Sequence, residues 1–354
     1  MLTAGEQKQT IESIAALQLD NGMIEWFPGG HADPWNHVEA AMALGIGGYR
    51  DQADAAYEWL AHLQHEDGSW CSYYTAGDLI EDPRRDTNVS LYVATGLWHH
   101  WRIFRDSAFL SASFPMLESA VEFALSLQEP GGELLWSLEP EGSPHRYALL
   151  TGSSSAAFSL RCAIGVAHVL GYERPDWELA AGRLAYTVAN NEGAFEPKEP
   201  WAMDWYYPVL CGALTGTAGR ARLASRWEEF TSDRRGVRCV SDQPWITASE
   251  TAECSLAHLA VGERDKAMWL LDSTHALRDE DGAYWTGLAL RENVHFPADE
   301  RSVYTAAAVV LADDALKEES PAWDIFVCDT HLPAYAFVSQ PSVALRAETP
   351  AHDL

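Results

Sequence analysis

The chain is predicted to be all-α, a closed ring of six helix pairs. Three observations predict it: a short turn motif that recurs along the whole chain, an amphipathic helix before each copy, and a small-residue apolar helix after it. The motif reads Leu17-Gln18-Leu19-Asp20-Asn21-Gly22 ahead of Trp26, then Leu63-Gln64-His65-Glu66-Asp67-Gly68 ahead of Trp70. It returns as Leu127-Gln128-Glu129-Pro130-Gly131-Gly132 before Trp136, and as Ala189-Asn190-Asn191-Glu192-Gly193 before Phe195. Asp233-Arg234-Arg235-Gly236 is a degenerate copy, and Arg278-Asp279-Glu280-Asp281-Gly282 precedes Trp285. A fixed repeat of this length is the mark of one supersecondary unit stacked on itself.

Each element follows from this pattern. Ahead of the turns, Ala56, Trp59, Leu60 and Leu63 recur at three- and four-residue steps, as do Leu117, Val121, Ala124 and Leu127, so these helices bury one stripe. The glycine of each copy is read as a helix stop that tolerates a left-handed backbone. After the turns come helices expected at 34–45, 86–101, 151–170, 204–214, 247–260 and 300–316. Runs such as Ser153-Ser154-Ser155-Ala156-Ala157 make them apolar on nearly all sides, and therefore buried on nearly all sides. Six outer and six inner helices make an (α/α)6 toroid. An open solenoid is the alternative, but neither terminal repeat is a polar cap. Residues 1–316 are expected to form this single barrel. Residues 317–354, with Pro321, Pro333, Pro341 and Pro350, are expected to strap over it irregularly and fray at the end.

Composition narrows the function. Among 354 residues, 52 Asp and Glu stand against 24 Lys and Arg, a formal net charge of −28. No basic footprint for nucleic acid exists, and a polyanionic substrate would be repelled. No apolar run of about 18 residues predicts a membrane span. The polar start and six scattered cysteines without a CxxC pair predict a cytoplasmic protein. Fifteen tryptophans are far more than ordinary usage, and flat indole faces suit sugar rings.

The Leu-Gln-x-x-x-Gly-x-Trp string resembles the QW repeat of the squalene-cyclase and protein-prenyltransferase families. That resemblance implies the toroid and carries little chemistry. The acid motifs of terpenoid chemistry are incomplete. Asp279-Glu280-Asp281-Gly282 lacks a final acid, and Asp313-Asp314-Ala315-Leu316-Lys317 ends in lysine. Cys254 and His258 share a helix face without a matching acid, so core packing is the better reading, and neither metal nor cofactor is expected. Glu81-Asp82-Pro83-Arg84-Arg85-Asp86-Thr87-Asn88 and Trp201-Ala202-Met203-Asp204-Trp205-Tyr206-Tyr207 look like actinobacterial toroid glycoside hydrolases. That group is similar to the mycobacterial α-endomannosidases that cut methylmannose polysaccharide. The resemblance implies a neutral α-linked oligo- or polysaccharide substrate, endo action and inversion at the anomeric carbon.

In such a ring the inner-helix N-termini converge on one face. Glycoside hydrolysis needs two carboxyls across the scissile bond, one to donate a proton and one to activate water or attack. Glu250, on an apolar helix, is expected to be the acid, because desolvation favours its neutral form. Asp33, ahead of Pro34, is expected to be its partner, with Asp86, Asp204 and Glu253 in reserve. The plain alternatives are that Asp33, Asp86 and Asp204 cap their helices, and that Glu250 and Glu253 pair with Arg84, Arg85, Arg146 or Arg301. Trp35, His37, Arg85, Asn88, Arg146, Tyr147, Trp205, Tyr206, Trp245, Glu300 and Tyr304 are expected to bind substrate. Trp70, Trp136 and Trp285 are read mainly as wedges of the repeat turns. Three other functions remain open: an epimerase or isomerase using His31, His37, His145 or His295, a terpenoid cyclase or prenyltransferase-like enzyme despite its incomplete acid motifs, and a non-catalytic sugar-binding toroid.

Overall fold

The computed structural model describes residues 1–232, 235–327 and 331–335. In chain order the helices are α1 (Ala4–Ala15), α2 (Pro34–Ile46), α3 (Arg50–Leu63), α4 (Thr87–Leu91), α5 (Val93–Phe104), α6 (Ser107–Leu125) and α7 (Leu150–Val169). They continue as α8 (Pro175–Asn190), α9 (Ala202–Leu210), α10 (Gly216–Ser225), α11 (Trp227–Phe230), α12 (Ala248–Ala260), α13 (Arg264–Ser273) and α14 (Val303–Lys317). The inner layer is α2, α4–α5, α7, α9, α12 and α14. Each packs on the next, and α14 returns to α2, so the ring closes. Small residues allow this close inner packing; Ala40, Ala43, Ala94, Ala156, Ala257 and Ala307 are wholly buried.

The recurring glutamine is the fastener between repeats. Gln18 Nε2 donates to the Gly22 carbonyl of its own turn and to the Gln52 carbonyl of α3. Gln64 and Gln128 do the same toward Met116 of α6 and Ala180 of α8. The glycine completes the joint. Gly68 has φ +88°, and a Cβ there would lie 2.0 Å from the Ser119 carbonyl oxygen of α6. Only glycine supplies that backbone without collision. In the last repeat Arg278 replaces the glutamine and reaches Gln9 and the Glu6 carbonyl of α1, while Thr10 donates to the Gly282 carbonyl. The sixth turn thus grips the first helix.

Several elements depart from expectation. Gly193 lies in a short 3-10 helix, Glu192–Ala194, and Gly236 begins a strand, so neither stops an α-helix. The second inner helix is interrupted at Tyr92, whose carbonyl accepts from both Thr95 and Gly96. The sixth inner helix starts at Val303, because Glu300 and Arg301 belong to a strand. The sequence pattern had not indicated strands. A hairpin, β1 (Tyr73–Thr75) with β2 (Leu79–Asp82), stands by the second repeat, and β3 (Arg85–Asp86) pairs with β4 (Ser137–Leu138). The larger surprise is an antiparallel five-stranded sheet over repeats five and six. Its strands are β5 (Thr231–Ser232), β6 (Gly236–Arg238), β7 (Trp245–Thr247), β8 (Trp285–Ala289) and β9 (Val294–Arg301), paired in that order.

Among the described residues one helix, α6, has the length and composition of a membrane span. It is an outer helix of the ring, burying Leu110, Phe114, Leu117 and Val121. The chain after α14 crosses the end of the barrel away from the inner N-termini. There Arg102 pairs with Asp324 at 2.7 Å, Arg161 donates to the Pro333 carbonyl, and Tyr335 donates to the Cys211 carbonyl. The expected fraying of the final residues falls at 336–354, outside the described residues.

Candidate active site

The inner-helix starts gather carboxyls in two layers. Asp33 caps α2: Oδ1 accepts from the amides of Trp35 (2.9 Å) and Asn36 (3.1 Å). Its Oδ2 accepts from Trp26 Nε1 (2.6 Å) and Asn36 Nδ2 (2.7 Å). Burial pushes its carboxyl above the usual range against these hydrogen bonds. Asp86 caps α4 by accepting from the Val89 amide (2.9 Å), and burial raises it to about 6. Asp33 lies close enough to add repulsion to that rise. Glu250 sits in the first turn of α12, half-buried, and accepts from Ser249 Oγ at 2.6 Å.

The second layer lies one or two turns deeper. Glu39 accepts from Trp35 Nε1 (2.9 Å) and Tyr92 Oη (3.0 Å), and burial lifts it to about 7. Glu253 accepts from Tyr206 and from Tyr207 Oη (2.6 Å); burial, and then the Glu39 charge, push it well above the usual range. Asp204 stands apart. It accepts from the amide (3.2 Å) and Oγ1 (2.5 Å) of Thr151 and so ties α9 to α7, with burial raising its carboxyl.

Among the described residues no cation pairs with Asp33, Asp86, Glu39, Glu250 or Glu253. The arginines weighed as their partners are engaged elsewhere. Arg84 binds Asp82, Arg85 binds Asp67 at 2.7 Å, and Arg301 binds Asp279 (2.8 Å) and Asp281 (2.7 Å). Arg146 lies exposed in a cleft wall. Of these carboxyls, Asp33, Asp86, Glu39 and Glu253 are all pushed upward by burial, a condition that suits acid–base chemistry.

Aromatic rings connect the layers. Trp26, which bonds Asp33, lies edge-on to Tyr304 at 4.8 Å and to His31 at 4.5 Å. The half-buried Trp35 meets Tyr207 edge-on at 5.9 Å. Trp136 bonds Asp86 and stacks on Tyr147 at 5.5 Å, under the Arg84 guanidinium. Beyond Tyr147 opens a cleft of about 810 Å³, lined by Arg146, Glu196, Lys198, Asp204 and Arg226 among others. Tyr147 thus stands between Trp136, on the Asp86 side, and a groove large enough for more than one sugar unit.

Not every expected residue reaches this site. His37 is in the core: Nδ1 accepts from the Ile24 amide, Nε2 donates to the Ala56 carbonyl, and burial lowers it to about 4. Trp205 is wholly buried, stacked on Phe230, and donates to the Arg222 carbonyl, so it packs the wall instead of a subsite. Tyr206 is wholly buried and serves Glu253. Glu253 itself is enclosed, whereas Glu250, expected to be the buried acid, is the more open of the two. Glu300 lies on β9 and accepts from Thr286 Oγ1 at 2.8 Å. Asn88 is buried with Oδ1 unpartnered, and Tyr304 is half-buried against Trp26. Trp70 is a wedge, donating to the Leu60 carbonyl, but Trp136 lies on the rim. Tyr92 was not anticipated; Glu39, Tyr207 and Trp26 stand near the inner-helix starts in the sequence but were given no individual role there. Glu39 had a readable signal, since an acid in the apolar stretch Val38 to Leu44 needs the same explanation as Glu253.

Unneutralised carboxyls around a funnel of aromatic rings are the equipment of glycosidic bond cleavage, and the chain is a glycoside hydrolase built on an (α/α)6 ring. No family model matches it. It is 44% identical over 326 residues, covering 92% of this chain and 90% of the relative, to MMP endo-(1,4)-3-O-methyl-alpha-D-mannosidase of Mycolicibacterium hassiacum, and it belongs to that family. Solved structures with the same ring include a wild-type glycosidase (TM-score 0.70, 13% identity, covering 90% of this chain and 99% of that one). A D-mannose isomerase (TM-score 0.64, 11% identity, 88% and 97%) is another. At such identities they establish the fold alone.

Proposed function

We propose that the protein cuts internal α-linkages of a neutral, O-methylated mannan-type chain laid across the inner-helix N-termini. The observation that carries this reading is the 44% identity, over nearly the whole chain, to an endo-mannosidase of 3-O-methyl mannoside. Glu250 donates a proton to the leaving oxygen; it is half-exposed and carries one neighbouring hydroxyl, so substrate can reach it. Asp33 accepts a proton from the water that attacks the anomeric carbon. A base raised above the usual carboxylate range is a stronger acceptor near neutral pH. Asp33 also caps α2, and the side-chain donors Trp26 and Asn36 hold its orientation. Asp86, at about 6 and beside Asp33, is the reserve for that role.

The negative surface of the protein favours a neutral chain over an anionic one. Buried thiols at Cys71, Cys211 and Cys254 support a cytoplasmic setting. The test is release of reducing ends from methylated manno-oligosaccharides by wild type, Glu250→Gln and Asp33→Asn. Wild type is expected to give internal fragments, and each variant to lose nearly all turnover with an unchanged fold. Full activity in both variants would overturn the assignment. Proton NMR of the first product is expected to show inversion, and retention would replace the water-activating role of Asp33 with a nucleophile.

A further inference from the structure

All fifteen tryptophans lie in the described residues, and only Trp201 and Trp245 are exposed, at 52% and 39%. Both sit at one corner of the rim. Trp201 bridges Val240, and the Cys239 amide donates to the Trp245 carbonyl. Strand register extends this corner into a surface. Trp245 pairs with Ala289, and Ala289 with Val294, so these three side chains share one face of the sheet. Thr247, Gly287 and Phe296 form the next row of the same face. Gly287 leaves room for the Phe296 ring, since a Cβ there would come within 2.5 Å of it. The Trp245 and Phe296 rings are 5.5 Å apart. Val294 is 53% exposed, whereas Ile246 and Leu288, which point the other way, are buried. The outer end of the sheet is thus an uncovered apolar step: two rings and a valine, with the Thr247 Oγ1 buried and unpartnered at its inner end. From Thr247 the chain passes directly into α12, and Glu250 follows three residues later.

We propose that this face, made by Trp245, Phe296 and Val294, reads the O-methyl groups of the sugar chain and sets the preference for methylated over unmodified units. The inference rests on the hydrolase reading above. Its occupant is an O-methylated hexose chain, because the surface is continuous with the helix that carries Glu250 and because its chemistry fits. An unmodified hexose offers hydroxyls that lose water on an apolar step, whereas a methyl ether buries a carbon group and leaves fewer donors unsatisfied. Ring faces take the sugar C–H groups.

Two measurements test it. In the first, kcat/KM is compared on 3-O-methylated and unmethylated manno-oligosaccharides of equal length. Trp245→Ala is expected to lower the methylated value about tenfold, the scale of one lost stacking contact, and the unmethylated value less than about twofold. Trp245→Phe, which keeps a ring, is expected to restore most of the selectivity. Val294→Asn, at an exposed position, gives the same direction if Trp245→Ala folds poorly. Equal losses on both substrates, or no loss, would overturn the proposal. In the second, acrylamide quenching of tryptophan fluorescence is followed in Glu250→Gln, which does not consume the ligand. The methylated ligand is expected to shield the exposed tryptophans and the unmethylated one not to; equal shielding or none overturns it. If wild type cuts neither substrate, the hydrolase reading fails while this second measurement still decides the surface. A dimer in sedimentation whose tryptophans are shielded without ligand would assign the face to a second copy and overturn the proposal.

Discussion

Glu250 and Glu253 lie three residues apart on one face of one helix, yet the protein treats them differently. Glu250 is half-open and bonded to its neighbour Ser249; Glu253 is enclosed, with both oxygens held by the hydroxyls of Tyr206 and Tyr207. On α2 the two acids, Asp33 and Glu39, are both buried, so there they differ in position along the helix and in partners, not in exposure. On the proposed mechanism, position along an inner helix separates chemistry from architecture: the acids of the first turn work on substrate, while Glu39 and Glu253 accept from the rings packed around them.

The contrast can be broken in order of expected effect. Glu250→Gln or Asp33→Asn is expected to cut turnover about a thousandfold, with melting temperature within a few degrees for Glu250→Gln, measured by reducing-end release and thermal unfolding. Glu253→Ala is expected to do the reverse in kind. It leaves two buried tyrosine hydroxyls unpaired and is expected to destabilise the fold by about 3 kcal/mol in denaturant unfolding, whereas Glu253→Gln keeps an acceptor and costs less. A Glu253→Ala protein of wild-type stability would dissolve the distinction.

The fold was largely legible because it repeats. Gln18, Gln64 and Gln128 each face the same task, and the recurrence of that task is visible without coordinates. The sheet was not legible. β5 and β6 have two and three residues, and β9 contains Pro297, so no alternation rises above loop composition. Among site residues, sequence could place acids at helix starts but not their depth, since spacing puts Glu250 and Glu253 on one face and says nothing of what covers each. Trp205 and His37 were misplaced for a related reason: a polar or aromatic side chain near a helix start looks the same whether it faces the funnel or the adjoining helix.

A gentler break uses the joint between repeats. Gly68→Ala is expected to destabilise the fold by about 1–3 kcal/mol, because φ is +88° and the added carbon meets the α6 backbone; unfolding midpoints check it. The smallest effect is a pH slope. Glu39 titrates near 7 in the fold against 4.5 for the free group, so its raised value favours the folded state at low pH. That contribution is complete below about 4.5 and is lost as pH rises toward 7, at up to about 1.4 kcal/mol per unit. Asp33, Asp86, Asp204 and Glu253, also raised by burial, add to the fall in the same direction. Glu39→Gln is therefore expected to make it shallower without abolishing it, and an unchanged slope would show that Glu39 does not hold a proton there.

The grip of Arg278 and Gly282 on α1 has a consequence for how the molecule is made. Helix α1 buries its last face only when the sixth repeat arrives, 272 residues later in the chain. Until then the nascent barrel has a seam, and the wall of its funnel is incomplete beside Trp26 and Asp33. Closure therefore fixes the sugar-handling machinery and finishes the protein in one event.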